Sequence, residues 1–294
     1  MKNEVVLQKS HQHGYNNAVR MTGARMIEVE TLAEMEAAIG PDTAMLSAFG
    51  DAVDRGEVSV AQMVEIGRRE GIPVFVDAAA ERPDVPNRYL ADGVDAVGYS
   101  GGKCLRGPQS SGLLLGQRDL LWKAFLNGSP HQGLGRPLKA SKEEVMGLLA
   151  AVEMWVQRDH EAEWKTWEQW LDIIWETVND IPTTTRDMRM PGRSNVAPIM
   201  QIGWDADTVG LTPDAVRQEL DDGEPRSEVA THATGVAIMP YMMEEGEAAI
   251  VAGRLLEILD RAVARRPESG IVKSEGSGGR RGRRGVCFHC TILE

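Results

Sequence analysis

The sequence has few of the features that mark exported or membrane proteins. Only three of its 294 residues are cysteines, Cys104, Cys287 and Cys290. They are too few and too clustered for a disulfide framework, which indicates a reducing compartment. No stretch approaches the roughly 20 apolar residues of a membrane span, and the opening MKNEVVLQKS has no apolar core of a signal peptide. We therefore expect a cytoplasmic protein with no membrane partner.

Basic charge is also scarce. The sequence has 44 acidic and 32 basic residues, which gives a formal net charge of -12. This balance leaves no broad electrostatic footprint for nucleic acid, so we expect no such partner. The length and the 42% hydrophobic content suit a large domain with a smaller one beside it.

The first 120 residues alternate short β-rich runs with amphipathic helical stretches. This alternation predicts an α/β domain with a mainly parallel sheet covered by helices. The strand candidates are residues 4–8, 25–29, 43–47, 73–77, 96–100 and 112–115. Helical spacing occupies residues 32–39 and 60–69, with Thr31 and Ser59 placed as N-caps.

A long, charged helical region follows at residues 141–179. Ser141 and Glu144 open it with a capping-box pattern. It holds five of the seven tryptophans on both helical faces, which favours a helix packed between two domains over an aromatic ligand box. Strand-like runs at residues 196–204 and 228–239 and a helix at residues 244–264 come next.

These changes in character divide the chain. We expect a large domain over residues 1–140, an interdomain helical region over residues 141–179 and a small C-terminal α+β domain over residues 180–266. The segment SEGSGGRRGRRG lies in a tail, residues 267–294, whose composition is typical of disorder. The single CxxC of Cys287 and Cys290 supplies half of a usual zinc set, so we expect no metal site.

The most informative segment is YSGGKCLRGPQSSGLLLG at residues 99–116. Lys103 follows a predicted strand and is flanked by glycines and a proline, which permit tight turns and close approach of a ligand. A partly desolvated amine held there would act as a nucleophile toward an aldehyde. The alternative is a surface lysine beside a Gly-rich turn. Cys104, next to it, is expected to be a small buried residue.

A second element is VFVDAAAE at residues 74–81, where an apolar strand ends in Asp77. A carboxylate at the C-terminal end of a parallel strand points into the crevice where such sheets bind ligands. Pyridoxal 5'-phosphate (PLP) needs such an acid, because the carboxylate keeps the pyridine ring protonated as an electron sink. The alternative role for Asp77 is that of a helix N-cap.

These segments, with GLGRPLKASKEEVMGLLAAVE and DDGEPRSEVATH further on, resemble the selenocysteine-synthase-like (SelA-like) family of fold type I PLP-dependent enzymes. The resemblance runs over residues 3–264. The family includes L-seryl-tRNA(Sec) selenium transferases, and the wording SGGK-x-LRGPQSSG is closer to members like D-glucosaminate-6-phosphate ammonia-lyase. It implies an aminotransferase-like large domain with a mainly parallel sheet and a small C-terminal α+β domain.

The resemblance also implies roles for four residues at the cofactor. Lys103 looks like the Schiff-base lysine and Asp77 like the partner of the pyridine nitrogen. Ser100 would donate to the cofactor phosphate, and Ala79 would pack under the ring.

Six further residues are implied as substrate-binding groups. Arg136 and Lys139 match positions where the family places cations for an anion, although they could be solvated charges. Arg106 and Gln109 would line the pocket of Lys103. His11 and His13 lie in a segment whose counterpart borders the active site; the alternative is that both are ordinary surface histidines.

Members of the family usually begin upstream, with a helix that cups the cofactor phosphate. This sequence begins at the following strand, so we expect the N-terminal part of the large domain and part of the subunit interface to be missing.

The predicted function is that of a PLP-dependent lyase. It would catalyse α,β-elimination on a small anionic amino acid or amino-sugar acid, as a homo-oligomer. One alternative is a transferase similar to L-seryl-tRNA(Sec) selenium transferase. Another is a catalytically inactive scaffold without cofactor.

Overall fold

The computed structural model describes residues 2–265. The predicted disordered tail and the CxxC pair lie outside the described residues.

A six-stranded sheet forms the centre of the first half of the chain. Its strands are β1 (Glu4–Gln8), β2 (Arg25–Val29), β3 (Thr43–Phe49), β4 (Val74–Asp77), β5 (Ala96–Ser100) and β6 (Gly112–Gly116). They lie in the order β2-β1-β3-β4-β5-β6. The first five run parallel, and the edge strand β6 runs antiparallel to β5. The prediction of an α/β fold with a mainly parallel sheet is confirmed.

Short helices connect these strands: α1 (Asn16–Arg20), α2 (Leu32–Ala37), α3 (Val60–Glu70), α4 (Arg88–Ala91) and α5 (Arg118–Asn127). Thr31 and Ser59 cap α2 and α3 as predicted, each in a complete capping box. The helix α3 ends at Gly71, whose φ of 65° is left-handed backbone that favours glycine. The buried faces of sheet and helices form one core that includes Leu46, Met63 and Val76.

The predicted long helical region is two helices, α6 (Lys142–Gln157) and α7 (His160–Val178). The break has a local cause: Asp159 accepts hydrogen bonds from two backbone N–H groups at the start of α7 and so begins a new helix. Trp155 and Trp167 are buried beside the loop that carries Lys103, while Trp175 packs against the core of the second half. The tryptophans therefore pack against two separate cores.

A four-stranded antiparallel sheet forms the second half, in the order β7-β8-β10-β9. Its elements are β7 (Thr185–Arg189), β8 (Ile199–Gly203), α8 (Ala206–Val209), α9 (Pro213–Asp221), β9 (Ala230–His232), β10 (Gly235–Ile238) and α10 (Glu247–Ala264). The helices α7 and α10 pack on it around a core that includes Leu171, Ile202 and Leu255. The predicted runs at residues 196–204 and 228–239 contain β8 and the two strands β9 and β10, and the predicted helix contains α10. The sequence did not predict β7, α8 or α9, which are short or largely polar.

Two polar contacts join the halves near the start of β8. Arg193 donates two hydrogen bonds of 2.6 Å to the carboxylate of Asp54, and Ser194 donates to Asp51. None of the helices within residues 2–265 combines the length and the apolar character that a bilayer crossing requires.

The second core should be more sensitive to truncation than the surface of the same helix. Leu171 is fully buried in α7, whereas Ile173, two residues on, is 42% exposed. Leu171→Ala should lower the free energy of unfolding by about 2 to 5 kcal/mol through lost burial and a cavity. Ile173→Ala, the matched control, should cost about 0.5 kcal/mol. Urea unfolding curves measure both, and equal costs would contradict the assignment of this core.

Candidate active site

The site lies where β4 and β5 end. The two strands are parallel neighbours, with Asp77 in register with Gly98. Asp77 is the last residue of β4, and Lys103 lies in the turn that follows β5. The pairing continues beyond the strands, because Ser100 donates its N–H to the Ala79 carbonyl at 3.1 Å. The four residues predicted to hold the cofactor therefore lie at or just beyond the carboxyl ends of two neighbouring strands.

Asp77 is half-buried and partly oriented by its own turn. One of its carboxylate oxygens accepts the backbone N–H of Ala79 at 3.1 Å. Within residues 2–265 no hydrogen bond is recorded for the other oxygen, so it can accept a further donor. His13 lies near enough that the negative charge of Asp77 opposes the lowering of the His13 pKa, which burial causes.

His13 lies near Asp77 and packs against an aromatic ring. Its ring stacks on Phe49, the last residue of β3, with 3.9 Å between ring centroids. Its Nδ1 is buried and has no hydrogen-bond partner among the described residues. Tyr15 is 5.8 Å from the same ring, and its own face lies 5.5 Å from the Lys103 amine. His13 thus remains a candidate binding group at the Asp77 side of the site.

His11 is buried inside the protein and does not face the site as predicted. Only 1% of it is exposed, so it is not a surface histidine. Its Nδ1 accepts the N–H of Phe49, and its Nε2 lies 3.3 Å from both Gln8 and the Arg55 carbonyl. Because both ring nitrogens are occupied by the protein itself, the structure corrects the prediction: His11 holds together the ends of β1 and β3 and has no free nitrogen for a substrate.

The loop around Lys103 closes tightly on itself. A Cβ on Gly101 would lie 2.0 Å from Ser111 Oγ, and one on Gly102 would lie 2.6 Å from Gln109 Cα. Only glycine fits at these two positions. The side chain of Gln109 is exposed and donates to the Gly102 carbonyl at 3.2 Å. The observed contact of Gln109 is therefore within the loop, and its substrate role stays a prediction.

The second half of the chain holds this loop by its backbone. The carbonyl of Lys103 accepts the hydroxyl of Tyr241 at 2.6 Å and the N–H of Arg106 at 2.8 Å. Tyr241 belongs to a 3-10 turn at Pro240–Met242, which follows β10. Sequence reasoning missed Tyr241, since no motif accompanies it.

Arg106 is the second residue that holds the Lys103 loop in place, and we call Tyr241 and Arg106 together the clamp. Its φ of 56° is left-handed backbone, and its guanidinium donates to Glu163 of α7 at 2.9 Å. The guanidinium also lies 4.4 Å from the centroid of the Tyr241 ring. Its Nε and Nη2 are buried without a partner in the described part of the chain. The contacts of Arg106 are those of a residue that braces the loop, and substrate binding by it stays a prediction.

The Lys103 amine and the adjacent Cys104 thiol have different surroundings. Lys103 is half-buried, and no ion pair or hydrogen bond to its Nζ is recorded within residues 2–265. Cys104 is buried and its thiol donates to the Ala80 carbonyl at 3.0 Å. Burial raises the pKa of Cys104 to about 12, which keeps it protonated, as expected for a small buried residue.

The two predicted cations lie in the segment between α5 and α6. Arg136 is half-buried and donates to Ser129 Oγ at 3.4 Å, and Lys139 is exposed. Neither forms an ion pair among the described residues. No recorded contact joins them to Lys103 or Asp77, so their role toward an anionic substrate stays a prediction.

A polar cavity is lined in part by residues that follow β4, beginning at Glu81. It has a volume of about 430 Å³ and is lined by Asp54, Glu81, Arg82, Asp84, Arg88, Gly192 and Arg193. Glu81 is buried and accepts the hydroxyl of Tyr89 at 2.7 Å, and burial raises its pKa. Because Arg193 is held by Asp54, this cavity sits at the junction of the two halves. Within residues 2–265, no group of three metal-ligating side chains is present.

Several known proteins are similar to this chain in sequence or in structure. No protein-family model matches the chain. D-glucosaminate-6-phosphate ammonia lyase from Salmonella typhimurium is 29% identical over 276 residues, covering 89% of this chain and 72% of the lyase. A solved structure of D-glucosaminate-6-phosphate ammonia-lyase superposes with a TM-score of 0.75, at 29% identity and over the same shares.

Other relatives match shorter parts. A 5'-C-glycyluridine monooxygenase-decarboxylase from Streptomyces is 37% identical over 163 residues, which cover 51% of this chain and 39% of that protein. An L-seryl-tRNA(Sec) selenium transferase from Moorella thermoacetica is 34% identical over 160 residues, 47% of this chain and 33% of the transferase. These alignments therefore span well under half of either relative.

One distant structure shows the fold alone. Ureidoglycine–glyoxylate aminotransferase from Bacillus subtilis superposes with a TM-score of 0.54 at 12% identity, over 90% of this chain and 74% of the aminotransferase. The fold and the relatives together confirm the resemblance that the Lys103 loop carried, to the selenocysteine-synthase-like enzymes of the PLP-dependent, aminotransferase-like fold.

Proposed function

We propose that this chain is a PLP-dependent lyase that catalyses α,β-elimination on a small anionic amino acid or amino-sugar acid, with release of ammonia. One observation carries the proposal. Asp77 and Lys103 follow neighbouring parallel strands, in a chain that aligns over 89% of its length with an ammonia lyase. The substrate named for that relative is a phosphorylated amino-sugar acid, which supports the substrate class.

The residues at the sheet edge fit PLP. The free oxygen of Asp77 would hold a proton on the pyridine nitrogen, since the other oxygen is already fixed by Ala79. The small side chain of Ala79 leaves room for a flat ring, and Ser100 is held beside it. When bound, PLP supplies an electron sink for the negative charge that develops at the substrate Cα.

Lys103 has the properties that proton transfer needs. Its amine has no acidic partner in the described part of the chain, and its backbone is fixed by Tyr241 and Arg106. Lys103 would hold the cofactor through Nζ, and the same amine would take the proton from the substrate Cα. The fixed backbone of Lys103 therefore positions an amine that is not engaged in an ion pair within residues 2–265.

Arg136 and Lys139 would bind the anionic group of the substrate. Both lack an acidic partner within residues 2–265, so both charges are available for a charge-assisted contact. His13, beside Asp77, would offer its unpartnered Nδ1 to cofactor or substrate. We propose that the protein works in the cytoplasm.

A transferase acting like the selenium transferases is the second candidate, favoured by the match of 34% over 160 residues. The formal charge of -12 argues against a tRNA-bound substrate, because phosphate contacts require basic surface. A purified protein that takes up no PLP would instead favour the inactive scaffold.

Replacing Lys103 tests the proposal most directly. The parent, incubated with PLP and reduced with borohydride, should carry a pyridoxyl group on Lys103 by peptide mass spectrometry. It should also release ammonia from D-glucosaminate-6-phosphate. Lys103→Ala should lose the adduct and the activity with its circular dichroism spectrum unchanged. Lys165→Ala, an exposed lysine on α7, is the control and should keep both. An adduct retained in Lys103→Ala would refute the assignment.

Asp77→Asn should separate cofactor binding from turnover. The amide keeps the size of the side chain but cannot hold a proton on the pyridine nitrogen, so the electron sink weakens. We expect PLP to remain bound and turnover to fall roughly 100-fold or more. Ammonia release and the bound PLP content are measured on the same sample. Equal turnover in variant and parent would show that Asp77 only orders its own turn.

Tyr241 should act as a positioning residue for Lys103. Tyr241→Phe removes one hydrogen bond to the Lys103 carbonyl, worth about 0.5 to 1.5 kcal/mol. We expect kcat to fall roughly threefold to tenfold and amide exchange in residues 101–107 to increase, with PLP still attached. Tyr99→Phe, which loses a hydrogen bond to Asn87 instead, is the matched control. Identical exchange in the two variants would contradict the clamp.

A further inference from the structure

The polar cavity that Glu81 lines has the size and composition of a site for a small molecule. Its volume of about 430 Å³ lies in the range typical of ligand pockets. Six of its seven lining residues are charged, and the seventh is Gly192. None of the seven is among the residues predicted to bind the cofactor or the substrate. The cavity therefore suits a small, highly polar ligand that does not use the residues of the Lys103 site.

Four of the six charges neutralise one another. Arg193 donates two hydrogen bonds of 2.6 Å to the carboxylate of Asp54. Arg82 forms an ion pair of 3.2 Å with Asp84. Because each pair joins opposite charges at a short distance, neither pair leaves a net charge for a ligand.

Glu81 and Arg88 carry the other two charges of the cavity. Neither forms an ion pair within residues 2–265, yet both contact the hydroxyl of Tyr89. Glu81 Oε1 accepts that hydroxyl at 2.7 Å, and Arg88 Nη2 lies 3.5 Å from its oxygen. The Arg88 guanidinium also lies 4.7 Å from the centroid of the Tyr89 ring. One carboxylate and one guanidinium are thus held by the same side chain in the wall of the cavity.

The fold holds the Glu81 carboxylate in place before any ligand binds. Only 4% of Glu81 is exposed, and no hydrogen bond to its second carboxylate oxygen is recorded within residues 2–265. Gly50, which follows β3, makes room for the first oxygen, since a Cβ there would lie 2.1 Å from it. A buried carboxylate is costly without a counter-charge or further donors. A ligand with an ammonium group supplies both.

The charges of the cavity disfavour other classes of ligand. A metal ion would lie among three guanidinium groups, and a lone phosphate among three carboxylates, so each would be repelled. An apolar molecule would remove water from charged side chains without replacing its hydrogen bonds. A zwitterion can place an ammonium group on Glu81 and an acid group on Arg88, so that every charge in the cavity has a counter-charge.

We propose that this cavity binds one molecule of an amino acid or amino-sugar acid, with its ammonium group on Glu81 and its carboxylate on Arg88. Gly192 and Arg193 belong to the second half of the chain and Glu81 and Arg88 to the first, so the ligand contacts both halves. The inference stands on the cavity and its charges. It does not depend on the proposed reaction, although the ligand class includes that of the proposed substrate.

Calorimetric titration of the full chain with Lys103→Ala, without PLP, tests the site in a protein that cannot react at Lys103. The probes are D-glucosaminate, D-glucosamine, which lacks the carboxylate, and D-gluconate, which has a hydroxyl in place of the ammonium group. D-glucosaminate should bind as one molecule per chain. Each of the other two should bind roughly tenfold to a hundredfold more weakly, because it loses one charge-assisted contact.

Two substitutions in the same background assign the contacts. Glu81→Gln keeps an oxygen for the Tyr89 hydroxyl but removes the charge, and it should bind D-glucosaminate only as tightly as the unsubstituted cavity binds D-gluconate. Arg88→Gln should bind D-glucosaminate only as tightly as the unsubstituted cavity binds D-glucosamine. Glu65→Gln on α3 and Arg118→Gln on α5, both exposed and outside the cavity, are the matched controls and should bind as before.

L-serine distinguishes two sources of the ligand, because it carries the same two charges without the sugar hydroxyls. Equal binding of L-serine and D-glucosaminate identifies amino acids in general, and weaker binding of L-serine identifies amino-sugar acids.

Three results would overturn the proposal: no binding of D-glucosaminate at millimolar concentration, equal binding of D-gluconate and D-glucosamine, or unchanged binding in both variants. If Glu81→Gln fails to fold by circular dichroism, Arg88→Gln, at an exposed position, decides the matter. Because neither Lys103 nor PLP takes part in the titration, a protein without lyase activity can still pass this test.

Discussion

The parallel pairing of β4 with β5 is the constraint on which the site depends. The register sets Asp77 opposite Gly98, and the backbone hydrogen bonds continue beyond it to join Ala79 with Ser100. Because the turn with Lys103 starts at the end of β5, any shift of this register would separate the amine from the carboxylate. A one-residue slip of either strand would also turn the buried side chains of that strand to the wrong face. The packing of the core thus fixes the geometry of the site.

The Lys103 loop belongs to the site and also contacts the second half of the chain. It is flanked by α6, α7 and the turn at Pro240–Met242, and its buried residues Cys104 and Leu105 share a core with Trp155 and Trp167. The loop backbone is held by Tyr241 and, through Arg106, by Glu163. The position of the reactive amine therefore depends on residues that follow it by 60 to about 140 positions in the sequence.

The sequence allowed strands, helix caps and marked site residues to be predicted. It did not allow most contacts between residues far apart in the sequence to be predicted. The six strands of the large sheet and the caps at Thr31, Ser59 and Ser141 follow from short-range patterns of apolar residues and hydroxyl side chains. Asp77 and Lys103 were recognisable because strand ends and glycines mark them. Tyr241 and Glu163 are ordinary residues in their own segments, and only the folded chain brings them to the loop. His11 was misplaced for the same reason: its burial comes from Phe49 and Arg55, far away in sequence.

The burial of Cys104 has a chemical consequence. An amine and a thiol at adjacent positions would normally compete for the same aldehyde, and a thiol is intrinsically the stronger nucleophile. Here the backbone directs the Cys104 thiol inward to the Ala80 carbonyl, while the Lys103 amine lies over Tyr15. With its pKa raised to about 12, the thiol is neither ionised nor accessible. The fold thereby separates the two adjacent nucleophiles, because it buries the sulfur and leaves the amine beside Tyr15.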